Sequence, residues 1–493
     1  MTLSWLDGVM IGLFLAAILA LGFSARIQKN SVLQFLAAGR ALTLPVFVAT
    51  LVSTWYGGIL GVGESVSYFG VGTWVLLGVP YYVFALLYAW VLARRVRGAE
   101  QISLPERLRS AFGPGVGLVG AVLVFLLALP AAHVLMLGVL TEMITGWSLA
   151  TSVIVATLVG TLFLYKGGLL ADARVSVLAF LMMYLGFAVM VIFCLTQFPV
   201  GETWGRIENR TLMQWDGGAG WIAVASFFIL GAWTLVDPGF HQRVASAASP
   251  EVGRKGVFVA VGFWVLFDLM SITTGLYALA LLKAPPEQPL MIFPMLGDQV
   301  LPAGLKAIFL CGMVGTILSA MVGYALVSGA TLGREIVGQL RASSDDAQIT
   351  RFTRIGIAVA CALAIVLSLQ IPSVVNLWYQ WGGAVIGALL GPVLMSYGVG
   401  GPARTPRPWI LASMLVSFVL SLSWLVAGYR SGNTMLEIAW TQEPFRIWIP
   451  PVPDGLEVSR LSLGTLAPGL VASALVLGLG RFVGDRKGRI QGR

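Results

Sequence analysis

Long apolar runs alternate with short polar segments along almost the whole chain. The runs lie near 4–24, 45–70, 73–94, 115–143, 148–165, 175–197, 219–237, 255–283, 303–333, 352–371, 374–398, 408–428 and 462–482. Within each run the apolar residues are continuous rather than alternating, which is the pattern of helices and not of barrel strands. A run of about 20 residues matches the thickness of a hydrocarbon core, and lipid offers no partner to an open backbone. The pattern therefore predicts an all-α polytopic membrane protein with thirteen spans. Residues 99–113 are too polar to cross and read as a short interfacial helix. Residues 429–461, rich in Pro and Trp, form the longest loop and read as a lid. The first run starts near Trp5 with no basic stretch ahead of it and no small-residue cleavage site behind it, so it is expected to be retained.

Composition agrees with the pattern. Hydrophobic residues make up 58% of the chain, charged residues only 11%, and the mean hydropathy is +0.88. These values exclude an ordinary soluble domain, in which about a quarter of residues are charged. The net charge of +9 could suggest a nucleic-acid ligand, but the placement of the charges gives a different explanation. If the N-terminus is outside, 24 of the 31 lysines and arginines fall in inside loops and 7 outside. This is the positive-inside asymmetry, and it predicts an outside N-terminus and a cytoplasmic C-terminus in a plasma (inner) membrane. No nucleic-acid partner is implied; the partners expected are the lipid bilayer and a small solute. Cys194, Cys311 and Cys361 each fall within an apolar run and are expected to be buried thiols rather than a disulfide or metal set. With two histidines and no His-Glu-x-x-His, no activated nucleophile or metal cluster stands out, which argues against a membrane enzyme. Oligomeric state is left open, with a monomer as the simplest arrangement.

Two runs are interrupted. Span two holds Ser53-Thr54-Trp55-Tyr56-Gly57-Gly58, then Gly61, Gly63 and Glu64. Span seven holds Gly231-Ala232-Trp233-Thr234 and ends at Asp237-Pro238. Five spans apart, the two segments cross in opposite directions. Paired interruptions at corresponding positions of two inverted halves are the best sequence pointer to a transporter's central site. The plain reading of membrane glycines is close helix packing; it is the favoured reading of span seven alone, whereas the density of polar residues in span two favours a site. Candidate solute-binding residues are Trp55, Tyr56, Gly57, Gly58, Glu64 and Trp233, with His133 of span four and Gln380 at the entry to span eleven. Aromatic faces suit a small polar or cationic organic solute, and the same residues could also serve an amino acid or a carboxylate. Intramembrane acids are costly and usually functional. Of these, Glu64 ranks first, with a backbone clamp near the outer mouth as its plain alternative. Asp237 is expected to cap a helix or pair with Arg243, and Asp268 to be a structural hydrogen-bonder.

Five motifs, in order along the chain, carry a family resemblance. They are Gln34-Phe-Leu-Ala-Ala-Gly-Arg40 with Tyr68-Phe-Gly70; Leu104-Pro-Glu-Arg-Leu-Arg109 through Gly113; and Tyr165-Lys-Gly-Gly168 with Ala171. Then come Asp237-Pro-Gly-Phe-His-Gln-Arg243 with Arg254-Lys255-Gly256, and Thr316-Ile-Leu-Ser319 through Arg334-Glu335-Ile336. Together they resemble the sodium:solute symporter family. The resemblance implies a leucine-transporter-type fold of two inverted five-helix repeats working by alternating access. The first repeat would occupy residues 43–200 and the second 201–400. An extra N-terminal helix with its loop would precede them (1–42), and two C-terminal helices with a short tail would follow (401–493). It implies no cofactor beyond a coupling ion, with Na+ held between spans two and nine. Carried over by position, its ligands are the carbonyls of Leu51 and Thr54, together with Thr316, Ser319 and Ala320, and Ser176 stands at the family's span-six acid. Two departures stand out. Ala320 lacks the usual hydroxyl, and Ser176 replaces an aspartate, while Asp172 lies one turn earlier and reads as a salt-bridge mate of Lys166 or Arg174. They predict weakened or altered sodium coupling; coupling to H+, an uncoupled carrier of the same fold, and a non-transporting solute sensor are the alternatives.

Overall fold

Each long apolar run folds as a helix, because in hydrocarbon every backbone donor and acceptor must be answered within its own segment. The computed structural model describes residues 3–27, 31–283, 286–343, 345–371, 373–374, 377–399, 405–430, 436–441, 446–448 and 459–491. Helix α1 (Trp5–Ser24) opens on a capping box, in which Ser4 Oγ accepts from the Asp7 N–H and Asp7 accepts from the Ser4 N–H. Next come α2 (Leu44–Trp55), α3 (Ile59–Phe69), α4 (Val79–Val91), α5 (Leu104–Phe112), α6 (Pro114–Leu127), α7 (Ala131–Thr145), α8 (Leu149–Thr161) and α9 (Leu164–Gln197). The second half holds α10 (Gly220–Leu230), α11 (Pro238–Ser246), α12 (Pro250–Leu281), α13 (Leu305–Ala330), α14 (Asp346–Gln370) and α15 (Gly383–Ser396). Helices α16 (Arg407–Arg430) and α17 (Leu466–Gln491) close the chain.

Among the described residues, eleven helical stretches are long and apolar enough to cross a bilayer, and all eleven fall on expected spans. The other two expected spans, 148–165 and 374–398, hold the shorter apolar helices α8 and α15, which are below that length. Span six starts earlier than its hydropathy suggests. The helix begins at Leu164 and carries the polar stretch up to Arg174, bending at Gly168 (φ 49°). The polar segment before α6 folds as a helix, capped by Ser103 Oγ on the Glu106 N–H. The loop after α16 departs from an all-α reading, because it contains three short antiparallel strands: β1 (Leu436–Thr441), β2 (Arg446–Trp448) and β3 (Ser459–Leu463), in the order β2-β1-β3. The rest of the segment read as a lid lies outside the described residues.

Burial separates centre from periphery. In the most apolar window of α13, 89% of residues are buried, and in α2–α3 83%, against 22% in α1 and in α17. The centre is therefore built from α13 and the broken α2–α3 pair, with α9 and α12 packed beside them. The backbones of α9 and α13 approach closely because glycines stand at the crossing: a Cβ on Gly312 would lie 2.7 Å from Met182 O. At the end of α13, Glu335 accepts from Ser103 Oγ (2.7 Å), Arg109 Nη2 (2.8 Å) and Arg334 Nη1 (3.0 Å), and Arg334 also pairs with Glu106. This cluster fastens α5 to the end of α13.

Candidate functional site

Three of the spans are interrupted. Between α2 and α3 the backbone tightens to a 3-10 turn at Tyr56–Gly58. Between α10 and α11 a 3-10 stretch covers Gly231–Leu235, and the chain restarts at Asp237, whose carboxylate caps α11 by accepting from the Phe240 N–H (2.6 Å). Span seven is thus broken as well as packed: a Cβ on Gly231 would also come within 2.8 Å of Pro80. A third break, at residues 128–130 between α6 and α7, has its only sequence signal in Pro130. The α2–α3 turn lies directly on α13, where a Cβ on Gly57 would fall 1.9 Å from the Ala320 Cβ.

These interruptions surround a cavity with about 160 Å³ of room for the centres of water-sized molecules. Its wall is aromatic: Trp55, Tyr56, Tyr81, Tyr82, Trp233, Tyr324 and Trp378, with His133 among them. Trp55 stacks on Trp264 (ring centroids 5.0 Å apart, 28° between planes) and meets Tyr81 edge-on at 5.0 Å. His133 stacks on Tyr324 at 5.2 Å. Two carboxylates enter this wall. Asp237 accepts from Trp233 Nε1 (3.1 Å) and from the Tyr324 hydroxyl (2.8 Å) in addition to its capping bond. Asp268 accepts from the Tyr82 hydroxyl, which in turn accepts from Trp74 Nε1 (3.2 Å), while Tyr56 donates to Trp264 O (2.8 Å). Among the described residues, no lysine or arginine lines the cavity, and neither carboxylate has an ion-pair partner.

Several sequence candidates meet here. Thr54, Trp55, Tyr56, Gly58, His133 and Trp233 line the cavity, and Gly57 lies against Ala320 and His133. Glu64 is not part of the wall: its carboxylate accepts from Ser373 Oγ (2.7 Å) and the Val374 N–H (3.2 Å), the clamp that was its plain alternative. The side chain of Gln380 lies outside the described residues. Asp268, expected to be structural, faces the cavity. Tyr81, Tyr82 and Tyr324 were not singled out, because tyrosines in apolar helices read as core and their convergence is set by the fold. The only local hint is Pro80-Tyr81-Tyr82.

The residues assigned by position to a cation lie where α2, α9 and α13 pack together, with Thr54 also on the cavity wall. Ser319 Oγ is shared between Ser53 Oγ (3.0 Å) and Ser176 Oγ (2.8 Å), and Ser176 reaches Asp172 (3.3 Å). Thr316 turns its hydroxyl back to Gly312 O (2.9 Å), and Leu51 is buried in α2. Asp237 takes the capping role that was one of its two expectations, and the expected pairing of Asp172 is corrected. Arg243 does not pair with Asp237, nor does Asp172 pair with Lys166 or Arg174. Instead Arg243 Nη2 pairs with Asp172 Oδ2 at 3.0 Å, and the same nitrogen donates to Thr54 Oγ1 at 2.6 Å. Lys166 donates to Phe23 O and Arg174 to Ser24 Oγ at the edge of α1. Burial explains the choice, because a carboxylate with 0% exposure needs an equally buried cation, and Arg243 is 1% exposed.

The profile of the sodium:solute symporter family matches residues 35–396. The chain is 24% identical to the high-affinity choline transporter 1 of Drosophila melanogaster over 78% of its own length and 66% of that protein's. It is 22% identical to the osmoregulated proline transporter OpuE of Bacillus subtilis (strain 168), over 87% and 91%. Among solved structures, a Na+-coupled sialic acid symporter in a substrate-bound outward-open state superposes with a TM-score of 0.76 at 13% identity, covering 98% of both chains. Mhp1, a nucleobase-cation-symport-1 family transporter, gives 0.54 at 14% identity over 92% of this chain and 95% of its own.

Proposed function

The chain belongs to the sodium:solute symporter family, and on that footing we propose that it is a secondary active transporter of a small organic cation, or of a zwitterion gripped by its cationic end. As a member of that family it is an integral membrane transporter of a small solute and not an enzyme. The observation that carries the proposal is the cavity wall, where two carboxylates without ion-pair partners stand among aromatic faces and no cationic side chain is present among the described residues. A positively charged nitrogen gains from both kinds of group, whereas a carboxylate ligand would meet like charge on the cavity wall. Two relatives are named for choline and proline, solutes that both carry a charged nitrogen.

The finer architecture belongs to the same proposal. Helices α8 and α15 complete thirteen spans, residues 43–200 and 201–400 form inverted five-helix repeats, and a monomer with an outside N-terminus sits in the inner membrane. Sodium coupling is weakened, because Ala320 supplies no hydroxyl and Ser176 no charge. The test is tryptophan-fluorescence quenching of the purified protein in KCl, with choline, glycine betaine, proline and acetate as probes. Saturable quenching by choline or betaine and none by acetate is expected; the reverse order would overturn the proposal. Counterflow of the bound probe in proteoliposomes then separates a carrier from a sensor, which would bind without flux.

A further inference from the structure

We infer that His133 reads the polar arm of the solute through its Nε2–H, and that this arm is a hydroxyl rather than a carboxylate. The inference deepens the transport reading, on which it rests, by naming a specificity-determining residue and a class of solute, an ammonium that carries an alcohol. A histidine kept for structure fixes one ring nitrogen on a protein acceptor, as His241 does on Leu235 O at 2.9 Å. His133 does not. Its Nδ1 is buried and makes no hydrogen bond, and among the described residues no group bonds Nε2 either. Yet the ring lines the cavity and is held in place by its stack on Tyr324 of α13.

The setting of the ring decides which nitrogen can serve. Its Nε2–Cδ2 edge faces the α2–α3 turn, where a Cβ on Gly57 would lie 3.3 and 3.1 Å from these two atoms, so the glycine keeps the edge clear. Tyr56 and Gly58 of the same turn line the cavity. No carboxylate bonds the ring, so an imidazolium would be an unpaired charge in the interior, and the ring is neutral with a single N–H. On Nδ1 that hydrogen would be sealed away from any acceptor, whereas on Nε2 a solute can answer it. Neighbouring donors on the wall are already committed: Trp233 and Tyr324 donate to Asp237, Tyr82 to Asp268 and Tyr56 to Trp264 O. Nearby charge then selects the acceptor. Tyr324, on whose ring His133 lies, also holds the Asp237 carboxylate, so a carboxylate arm at His133 would stand one ring away from a like charge. A hydroxyl accepts from Nε2 without that repulsion and leaves the ammonium to the aromatic faces and Asp268.

The test compares solutes that differ at the arm, by tryptophan-fluorescence quenching of the full-length protein in KCl. Choline carries a hydroxyl, propyltrimethylammonium a methyl in its place, and glycine betaine a carboxylate. The wild type should bind choline about fivefold or more tighter than propyltrimethylammonium, because the analogue leaves the N–H unanswered. Betaine should also bind more weakly than choline. In His133→Phe, which keeps a ring on Tyr324 but has no donor, the two ammonium affinities should come within about twofold of each other. His133→Leu is measured beside it, since it asks for less room than a phenyl ring. A purely structural role would weaken both solutes together and leave their ratio as it was. Equal binding of choline and propyltrimethylammonium by the wild type overturns the inference while leaving the cation reading in place, and so does a ratio that survives in both variants. Tighter binding of betaine than of choline overturns the hydroxyl assignment. If neither ammonium binds the wild type, the cation reading falls and this inference with it. If neither variant can be purified, the wild-type ratio decides: a choline preference supports the inference and equality overturns it.

Discussion

At the scale of single residues, the two cavity carboxylates have different work. Asp237 is committed to structure as well as to the cavity, because it caps α11 and takes the indole of Trp233 and the hydroxyl of Tyr324. Asp268 sits in the middle of α12, where no helix end needs it, and is held by Tyr82. Asp268→Asn keeps the shape and an acceptor for Tyr82 but deletes the charge. A direct charge pair in a dry pocket contributes more than an aromatic face, roughly 2–5 kcal/mol against about 0.5–2. The substitution should therefore weaken choline or betaine binding at least about tenfold, roughly 1.4 kcal/mol, while leaving the melting temperature nearly unchanged. Unchanged affinity in the quenching titration would remove Asp268 from the site. This distinction could not be read from the sequence: an aspartate in an apolar run announces that it is costly, not which way it faces. Glu64 shows the same limit, since its place beside the glycines of span two suggested a ligand and the fold uses it to hold Ser373 and Val374.

At the scale of elements, hydropathy and punctuation carried most of the information. Span positions follow from the length of apolar runs, and the breaks at Gly57-Gly58 and Asp237-Pro238 follow from glycine, proline and a capping acid. What stayed hidden are contacts between distant elements, above all Arg243 with Asp172 and Thr54, because residue spacing along the chain says nothing about pairs separated by a whole repeat. The α2–α3 break offers a sharp test of such a contact. In this arrangement the 3-10 turn is pressed onto α13 with Ala320 filling the space a side chain at Gly57 would need. Gly57→Ala should be overpacked, with a cost of about 1–3 kcal/mol, read as a lower melting temperature and weaker solute binding. Gly57→Ala/Ala320→Gly exchanges one methyl for the other and should recover most of the loss, a non-additivity expected only of groups in contact. Simple additivity of the two changes would mean that α13 and the turn do not meet there. Ala320 thus has a packing role in this chain, in addition to lacking the hydroxyl that its position would supply for sodium.

At the scale of the whole molecule, the basic residues predict which way the bundle sits in the bilayer, and the buried cysteines make that prediction testable. Loops and ends that alternate along the chain divide 24 to 7 in lysine and arginine, an asymmetry that insertion retains on the cytoplasmic side. On the same reading that side also holds α5, which is fastened to the end of α13 through Arg109, Arg334 and Glu335. On that reading the segment between α9 and α10, where Glu208 is exposed, lies on the opposite side. Cys194, Cys311 and Cys361 are all free and buried, so the wild type should react little with a membrane-impermeant maleimide. Ser110→Cys, at an exposed position on α5, and Glu208→Cys then report the two faces without background. In intact cells Glu208→Cys should be labelled and Ser110→Cys silent, with both labelled after permeabilisation. The reverse pattern would invert the molecule and move the Glu335 cluster to the outer face. Labelling of both in intact cells would mean that an odd number of the helices between residues 110 and 208 do not cross, and α8, the shortest of the apolar helices in that interval, would be the first to reconsider.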